Sequence, residues 1–159
     1  MKILVVSDTH GSIESILRKV RSIERPDMIF HLGDYVEDGV RIENALNIPA
    51  TIVRGNGDYG KGEFEDEQIV EVMGKRIFLS HGHKYNVRLG PQKLFYRALE
   101  LGADVALYGH THIAKILEKE GLIIMNPGSP DYPRGIIRNG SLGLIKIEEK
   151  IEARILEIK

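Results

Sequence analysis

The stretch Lys2-Ile3-Leu4-Val5-Val6-Ser7-Asp8-Thr9-His10 decides the fold, because a short apolar run leads directly into a polar loop. An uninterrupted apolar run of this length predicts a strand that is buried on both faces, as in a parallel sheet. The run stops at Ser7-Asp8, which is far too soon for a signal peptide or a membrane span. We therefore expect a cytoplasmic protein that has no membrane partner.

The same pattern recurs in the first half of the chain. Apolar residues at helical spacing follow Ser12, the expected N-cap, and Pro26 prevents this helix from continuing. Alternating strands and helices favour parallel pairing with right-handed crossovers. The predicted elements are strands over 2–6, 28–32 and 51–53 and helices over 13–23 and 40–46.

The second half of the chain has a different pattern, with a hairpin and a run of strands. Gly74-Lys75 separates two apolar segments, and Pro91 and Gly102 bound a helix. The predicted strands lie over 69–73, 76–80 and 105–108, followed by mostly antiparallel strands over 113–117, 122–125, 142–147 and 151–158. We predict an α/β fold in which mixed β-sheets pack as a sandwich flanked by helices, with four layers and a single domain over 1–159.

The composition and the net charge exclude some kinds of binding site. The 159 residues carry a formal net charge of −1 at pH 7, which argues against an extended nucleic-acid surface. The chain contains no cysteine, so disulfides and thiolate metal sites are excluded. A small nucleotide remains admissible as a substrate, and a homo-oligomer is compatible with the sequence.

Side chains that can bind metals gather where the predicted strands end. Ligands of open α/β sheets lie beyond the carboxyl ends of the strands, so these clusters can converge on one edge. Five of the six histidines lie in the clusters, and only His31 lies inside a strand. The clusters are Asp8-Thr9-His10, Gly33-Asp34, Asn56-Gly57-Asp58, His81-Gly82-His83 and Gly109-His110-Thr111-His112.

Each cluster also has a plain structural interpretation. Asp8 can serve as a helix cap or a solvated loop acid, and Gly33-Asp34 and Gly55-Asn56-Gly57-Asp58 are typical turn sequences. The histidine pairs fit this interpretation less well, because each places two imidazoles two residues apart beside a glycine. We interpret the five clusters together as one metal site, since their joint occurrence at strand ends is improbable by chance.

The ordered motifs D-x-H, G-D, G-N-x-D, H-G-H and G-H-x-H resemble those of the calcineurin-like metallophosphoesterase superfamily. With Asn126-Pro127-Gly128-Ser129 they span residues 8–129, and the short chain is similar to the compact bacterial and archaeal phosphodiesterase branch. The resemblance implies a hydrolase of small phosphate esters, in the first place a phosphodiesterase. In such an enzyme a metal-bridging hydroxide attacks the phosphorus in line.

The resemblance also implies two adjacent divalent ions. The first ion would be held by Asp8, His10, Asp34 and His112. The second ion would be held by Asp34, Asn56, His81 and His110, and Asp34 would bridge the two. Mixed nitrogen and oxygen ligands favour Mn²⁺, Ni²⁺, Fe²⁺ or Zn²⁺ over Mg²⁺. We expect Mn²⁺, because availability and lability often decide which metal is bound.

Residues around these ligands have predicted roles of their own. Asp58 is expected to orient a histidine or the Asn56 loop, although a turn-stabilising role fits equally well. His31 is expected to be packed and hydrogen-bonded near Asp34. The predicted catalytic residues are Asp34, Asn56, Asp58 and His83. Of these, His83 is expected to contact the substrate phosphate. The candidate phosphate-binding cations, which also fit ordinary surface positions, are Arg54, Arg88 and Arg134.

One position departs from the larger relatives, whose third motif carries a histidine that can protonate the leaving group. Here that position is Gly57, so the acid is absent from its usual place. Efficient attack on alkyl phosphomonoesters is therefore not expected. We also expect that Gly57 adopts a positive φ, which only glycine accepts at low cost.

Two other functions stay open. A protein-binding scaffold similar to the vacuolar sorting subunit of retromer has this fold with partly altered metal positions, whereas all seven candidate ligands are present here. A phosphomonoesterase or a dinucleoside-polyphosphate hydrolase would keep the chemistry and change the substrate. Hydrolysis of a generic aryl phosphodiester would distinguish an enzyme from the scaffold. A panel of substrates would distinguish a phosphodiesterase from the other two hydrolases.

Overall fold

Two five-stranded sheets lie at the centre of the protein, and three helices cover their outer faces. The computed structural model describes residues 1–136 and 138–159. The described strands are β1 (Lys2–Val6), β2 (Met28–His31), β3 (Ala50–Ile52), β4 (Glu67–Val72), β5 (Lys75–Ser80), β6 (Val105–Leu107), β7 (Lys115–Lys119), β8 (Leu122–Asn126), β9 (Gly140–Ile147) and β10 (Ile151–Ile158). The helices are α1 (Glu14–Arg21), α2 (Val36–Leu46) and α3 (Gln92–Glu100), with two short 3-10 turns at His83–Tyr85 and Val87–Leu89. Over these residues, none of the helices has the length and apolar character that crossing a bilayer requires.

Both sheets mix parallel and antiparallel pairs. The first sheet has the order β10-β9-β1-β2-β3, in which β1, β2 and β3 are parallel and the two pairs formed by β9 are antiparallel. The second sheet has the order β4-β5-β6-β8-β7, in which β5, β6 and β8 are parallel and the edges β4 and β7 are antiparallel. The prediction of mixed sheets is confirmed. The late strands pair mostly antiparallel, as predicted; β8 is antiparallel to β7 and parallel to its other neighbour, β6.

The alternation of side chains along β1 explains why its whole run is apolar. Ile3 and Val5 point into the core between the two sheets, whereas Leu4 and Val6 pack on the side of α1 and α2. Successive strand residues face opposite sides, so a strand between two cores is apolar throughout. A third core lies between the second sheet and α3. The four predicted layers are therefore present, in the order helices, sheet, sheet, helix.

Several elements begin or end at residues other than those predicted, and three of these differences have a clear cause. The Ser12 hydroxyl donates to the Glu14 carboxylate and caps no backbone N–H group of α1, so the N-cap prediction is wrong. Helix α2 begins at Val36, one turn earlier than predicted, because the loop after β2 passes directly into it. Strand β7 begins at Lys115, two residues late, because the preceding residues belong to the loop that carries His112.

Candidate metal centre

The polar loops that follow five parallel strands meet at one edge of the molecule. Within the first sheet, the Asp8 N–H donates to the Gly33 carbonyl oxygen at 3.1 Å. Within the second, the Gly109 N–H donates to the His81 carbonyl oxygen at 3.0 Å. The His110 N–H donates to Oδ2 of Asp8 at 3.0 Å, which joins the two sheets at this edge.

Asp8, His10 and His112 form the first group of potential metal ligands. The Nε2 atoms of the two imidazoles lie 3.2 Å apart, and Nε2 of His112 lies 3.3 Å from Oδ1 of Asp8. One donor atom from each residue lies within 4.8 Å of the others. These donors can therefore reach a common cation.

Asp8, Asp34 and His81 form the second group. Nε2 of His81 lies 3.5 Å from Oδ1 of Asp34 and 3.9 Å from Oδ1 of Asp8. Oδ1 of Asp34 also accepts a hydrogen bond from the Gly57 N–H at 2.9 Å. The two groups share Asp8, whereas the resemblance implies that Asp34 is the shared residue.

The Asp8 carboxylate is held through one oxygen and leaves the other oxygen free. Oδ2 accepts hydrogen bonds from the Ser7 hydroxyl at 2.7 Å and from the His110 N–H. Burial alone would raise the pKa of Asp8, but His112, His81 and the Ser7 hydroxyl together hold the pKa below its ordinary value. The carboxylate is therefore ionised at neutral pH, with Oδ1 directed at the histidines.

Two backbone carbonyls fix the tautomers of His81 and His112. Nδ1 of His81 lies 2.7 Å from the Leu32 carbonyl oxygen, and Nδ1 of His112 lies 2.9 Å from the Tyr132 carbonyl oxygen. A carbonyl oxygen only accepts, so each Nδ1 carries a proton and Nε2 is the ring atom that is left to bind a cation. This is the arrangement that orients histidines towards metals in proteins.

Two buried atoms at this site have no hydrogen-bond partner among the described residues: Oδ1 of Asp8 and Nε2 of His81. An unpaired buried polar atom costs about 1–3 kcal/mol, and two electron-rich atoms that face each other also repel. A divalent cation between them would remove both costs. The donor set therefore fits the metal that the motifs imply.

His110 and Asn56 lie at the margin of the two groups. The His110 ring centroid lies 5.2 Å from that of His81. Burial lowers the pKa of His110 to about 4, with smaller effects from His81 and Arg88, so the ring is neutral at pH 7. Asn56 is exposed in the loop after β3. The structure thus brings five of the seven predicted ligands together in the two groups, places the His110 ring against that of His81, and leaves Asn56 exposed at the rim.

His83 lies beside the histidines of the second sheet. Its ring centroid is 5.4 Å from that of His81, and its Nδ1 atom is buried without a partner among the described residues. A cleft of about 270 Å³ runs from His83 along Asn56, with Tyr59 and Lys84 in its walls. His83 is therefore accessible from the direction in which a ligand can approach.

Asp58 connects the loops that follow β2 and β3. Its Oδ1 atom accepts hydrogen bonds from the N–H groups of Tyr35 at 2.7 Å and Val36 at 3.0 Å. Its Oδ2 atom accepts from the Gly55 N–H at 2.7 Å, within its own turn. Asp58 thus stabilises its own turn, the second of the two roles expected from the sequence, and also fixes the backbone that follows Asp34.

His31 is fully buried and lies behind the Asp34 loop. Its Nδ1 atom accepts from the Gly33 N–H at 3.3 Å, so Nε2 carries the proton and donates to the Thr9 hydroxyl, also at 3.3 Å. Thr9 in turn donates to the Asp34 carbonyl oxygen at 3.4 Å. Burial lowers the pKa of His31 to about 4. His31 is therefore a neutral, packed residue that supports the Asp34 backbone.

The backbone of the site is unusual in its conformation. Left-handed φ values, which most side chains disfavour, occur at five of the seven predicted ligands. They are Asp8 (55°), His10 (51°), Asp34 (53°), His110 (67°) and His112 (59°). Asp, Asn and His are the non-glycine residues that best tolerate this region. Such values at a cluster of potential ligands are typical of functional sites, where they cost about 1–3 kcal/mol each.

The glycines beside Asp34 are required by close approach. A Cβ atom at Gly55 would lie 2.2 Å from Oδ1 of Asp34, and one at Gly57 would lie 3.0 Å from the same atom. Gly57 is not among the residues with positive φ, so the expectation of a left-handed backbone there is wrong. Position 57 borders the carboxylate directly, which is why a side chain there would enter the site.

The sequence-based prediction missed the residues that build the rim near His10. The Ser129 hydroxyl donates to the Asp8 carbonyl oxygen at 2.8 Å and accepts from the Tyr132 N–H at 3.0 Å. Tyr35 and Tyr132 both contact the His10 ring. Tyr35 follows Asp34 directly, and Tyr132 follows the Asn126-Pro127-Gly128-Ser129 motif by three residues. The short distance along the sequence between these residues and the motifs was the signal that could have identified them.

The three arginines predicted as phosphate-binding cations have different surroundings. Arg54 donates to the Asp66 carboxylate at 2.7 Å, and the same carboxylate pairs with Lys84, so the guanidinium is held at Asp66. Arg134 belongs to the loop of Tyr132, and its N–H donates to the His112 carbonyl oxygen at 2.9 Å. Arg88 lies close enough to His110 to disfavour the charged imidazole.

Known proteins share both the sequence and the fold. A probable metallophosphoesterase of Methanothermobacter thermautotrophicus is 37% identical over 164 residues, covering 98% of this chain and 92% of its own length. The phosphodiesterase MJ0936 of Methanocaldococcus jannaschii is 30% identical over 168 residues, covering 94% and 95%. The crystal structure of a predicted phosphoesterase from Streptococcus pneumoniae superposes with a TM-score of 0.82 at 30% identity, covering 98% of this chain and 88% of that one.

A more distant structure shares the fold alone. Wild-type Vps29 from Entamoeba histolytica, complexed with Zn²⁺, superposes with a TM-score of 0.78 at 19% identity, covering 100% of both chains. The family model of the calcineurin-like phosphoesterase superfamily domain matches residues 1–150. As the motifs predict, the chain belongs to the calcineurin-like phosphoesterase superfamily.

Proposed function

We propose that this protein is a dinuclear metal-dependent phosphodiesterase that acts on small phosphate esters. One observation carries the proposal: Oδ1 of Asp8 and Nε2 of His81 face each other, buried and without partners, among further donors of the same kind. An arrangement of unpaired acceptors is costly unless a cation fills it. The phosphodiesterase named among its relatives supports the reaction class.

The residues that would hold the ions follow the assignment that the motifs imply. The first ion would be bound by Asp8, His10, Asp34 and His112, and the second by Asp34, Asn56, His81 and His110. We propose Mn²⁺ for both positions. When bound, two divalent ions would supply the positive charge needed to activate water and to stabilise the phosphoryl group.

The chain itself contributes orientation and contacts with the substrate. Asp58 and His31 fix the Asp34 loop through backbone hydrogen bonds. His83 borders the cleft and is proposed to contact a phosphate oxygen. The Leu32 and Tyr132 carbonyls keep the lone pairs of His81 and His112 directed inward.

Position 57 supports a preference for diesters with good leaving groups. An imidazole at this position would lie beside the Asp34 carboxylate, where relatives carry an acid, but Gly57 offers no proton. Alkoxide leaving groups need a proton far more than aryl oxides do. We therefore propose that activated aryl diesters are cleaved well and alkyl monoesters poorly.

The test uses the metal-free protein reconstituted with Mn²⁺. Hydrolysis of bis(4-nitrophenyl) phosphate is compared with that of 4-nitrophenyl phosphate and an alkyl monoester, and the bound metal is counted. We expect close to two ions per chain and a clear preference for the diester. The exposed Glu118→Gln variant provides a matched carboxylate-to-amide control outside the site and keeps the parent activity.

Two results would overturn the proposal. One bound ion or none, in folded protein with excess Mn²⁺, contradicts the dinuclear centre. Two bound ions without turnover of any ester contradict the enzyme and favour a binding scaffold of the same fold.

A further inference from the structure

Two tyrosine rings flank the first group of potential ligands at its solvent side. The ring centroids of Tyr35 and Tyr132 lie 5.2 and 5.3 Å from that of His10, both in edge-to-face geometry. Tyr35 is 44% exposed and Tyr132 is 53% exposed, so about half of each residue faces solvent. The rings therefore contact a proposed metal ligand on one side and remain accessible on the other.

Both tyrosines are fixed by contacts of their backbone. Tyr35 has a left-handed φ of 70°, and its N–H donates to Oδ1 of Asp58. The Tyr132 N–H donates to the Ser129 hydroxyl, and its carbonyl oxygen accepts from Nδ1 of His112. With the backbone anchored and each ring against His10, only part of the side-chain freedom remains to be lost when a ligand binds.

The two residues come from distant parts of the chain and converge on the same histidine. Tyr35 precedes α2, whereas Tyr132 follows β8. By contrast, the exposed Tyr96 of α3 packs against its sequence neighbour Phe95. Aromatic side chains supply a large apolar area and a π-face for another ring. Their convergence at the mouth of the site therefore favours a ligand with a planar ring.

We propose that Tyr35 and Tyr132 form an aromatic-binding subsite for a planar ring of the phosphate ester, either an aryl group or a nucleobase. The inference rests on the proposed function, because the phosphoryl group must lie at the metal centre for its organic group to reach the rings. With the phosphorus near His10, the organic group lies within contact of one ring or both. The subsite makes these tyrosines specificity determinants for the organic part of the ester.

The test measures binding and needs no turnover. Phenylphosphonate and methylphosphonate carry the same metal-binding group and differ in the ring. Calorimetry on the Mn²⁺-loaded protein gives the ratio of their dissociation constants. We expect phenylphosphonate to bind about 10-fold more tightly, with Tyr35→Ala and Tyr132→Ala each lowering that ratio about 3-fold and the double variant bringing it close to one.

Matched variants separate the aromatic contact from other effects. Tyr35→Phe and Tyr132→Phe keep the rings and should keep the ratio, and Tyr96→Ala removes an exposed tyrosine elsewhere and should also keep it. A parent ratio near one overturns the subsite without any variant, so a folding defect does not obscure the result. An undiminished ratio in the double variant overturns it as well, as does failure of phenylphosphonate to bind.

Activity measured in parallel distinguishes this inference from the proposed function. Turnover of bis(4-nitrophenyl) phosphate without a ring preference in binding refutes the subsite and leaves the phosphodiesterase. A ring preference that depends on both tyrosines, without turnover of any ester, supports the subsite and refutes the phosphodiesterase. To tell an aryl group from a nucleobase, the same titration is repeated with thymidine 5′-monophosphate and ribose 5-phosphate.

Discussion

The two halves of the candidate centre differ in how firmly their side chains are held. In the Asp8 half (Asp8, His10, His112), the carboxylate has two donors on one oxygen and His112 is anchored to a backbone carbonyl. In the Asn56 half (Asn56, His81, His110), only His81 has such an anchor, and Asn56 is exposed. Asp34, which is proposed to serve both halves, lies beside His81 and is held by the Gly57 N–H.

From this difference we expect that the two proposed ions would bind with unequal affinity. Prearranged donors bind a cation without first being ordered, whereas an exposed amide must lose side-chain entropy on binding. The Asp8 half should therefore fill first. The following predictions test that order, from the largest expected effect to the smallest.

Replacing Asp34 should have the largest effect, because this carboxylate is proposed to serve both halves. Asp34→Asn removes a charge that both ions need, so the rate of diester hydrolysis should fall by at least ~10³-fold. The measurement is the turnover of bis(4-nitrophenyl) phosphate with saturating Mn²⁺, with Glu118→Gln as the control. Near-normal turnover would show that Asp34 is not the bridge.

Asp8→Asn gives the matching test, since Asp8 is the residue common to both geometric groups. If its variant loses both ions while Asp34→Asn loses one, the shared ligand is Asp8 and the assignment of the bridge changes.

Removing the exposed amide should separate the halves. Asn56→Ala should weaken the second Mn²⁺ by about 10–100-fold, the scale seen when the surroundings of a metal site are altered. The first ion should keep its affinity, because no Asp8-half donor changes. Stepwise titration with Mn²⁺, followed by electron paramagnetic resonance, gives both constants. Equal weakening of the two ions would contradict independent halves.

Filling position 57 should change the substrate preference. Gly57→His places an imidazole beside Asp34, and general acid catalysis is typically worth about 10²–10⁴-fold in ideal geometry. Because the added Cβ would lie 3.0 Å from Oδ1 of Asp34, the carboxylate must shift slightly. We therefore expect lower diesterase activity and a monoester-to-diester ratio that rises by about 10-fold. An unchanged ratio in folded, metal-loaded protein would mean that the missing acid does not limit monoester cleavage.

The smallest effect on activity is expected at His31, which supports the site without facing it. The folded-state pKa of His31 is about 4, below the ordinary value of 6.5, so the unfolded chain takes up this proton more readily. The stability contributed by neutral His31 is complete above pH 6.5 and is lost as the pH falls towards 4. Between pH 7 and 5, metal-free parent protein should lose roughly 2 kcal/mol more stability than His31→Gln.

Urea unfolding at the two pH values measures this difference directly. Parallel stability curves for the parent and His31→Gln would refute the low pKa. Metal binding by the variant at pH 7 should stay close to that of the parent, because Gln can still contact Thr9 and Gly33.

The strands were predictable from sequence because burial on both faces leaves an unbroken apolar run, as in β1. The pairing of the strands was not predictable, since a local pattern does not specify which strand lies beside which. The pairing of β8 with β6, for example, depends on tertiary packing. The loops of the site were predictable because parallel strands deliver their ends to one edge. The rim formed by Tyr35 and Tyr132 was not, because two isolated tyrosines carry no periodic signal.

The distances and contacts within the site could not be predicted from the sequence either. The position of Asp8 in both geometric groups depends on how the two sheets meet, which sets its distances to His81 and His112. The dual contacts of Asp58 depend on the exact approach of the loops after β2 and β3. In each case the deciding contacts join residues that are more than 20 positions apart.

The left-handed backbone at five of the proposed ligands has a consequence for protein engineering. Glycine accepts this conformation at no steric cost, so glycine at position 10 or 112 would relieve local strain while removing an imidazole. At position 112 the loss of a buried ring and of its hydrogen bond to Tyr132 opposes this gain, so a selection for heat resistance on the metal-free protein should enrich glycine at position 10. A substitution that raises thermal stability there would also remove a proposed metal ligand, so stability and activity place opposite demands on the same backbone conformation.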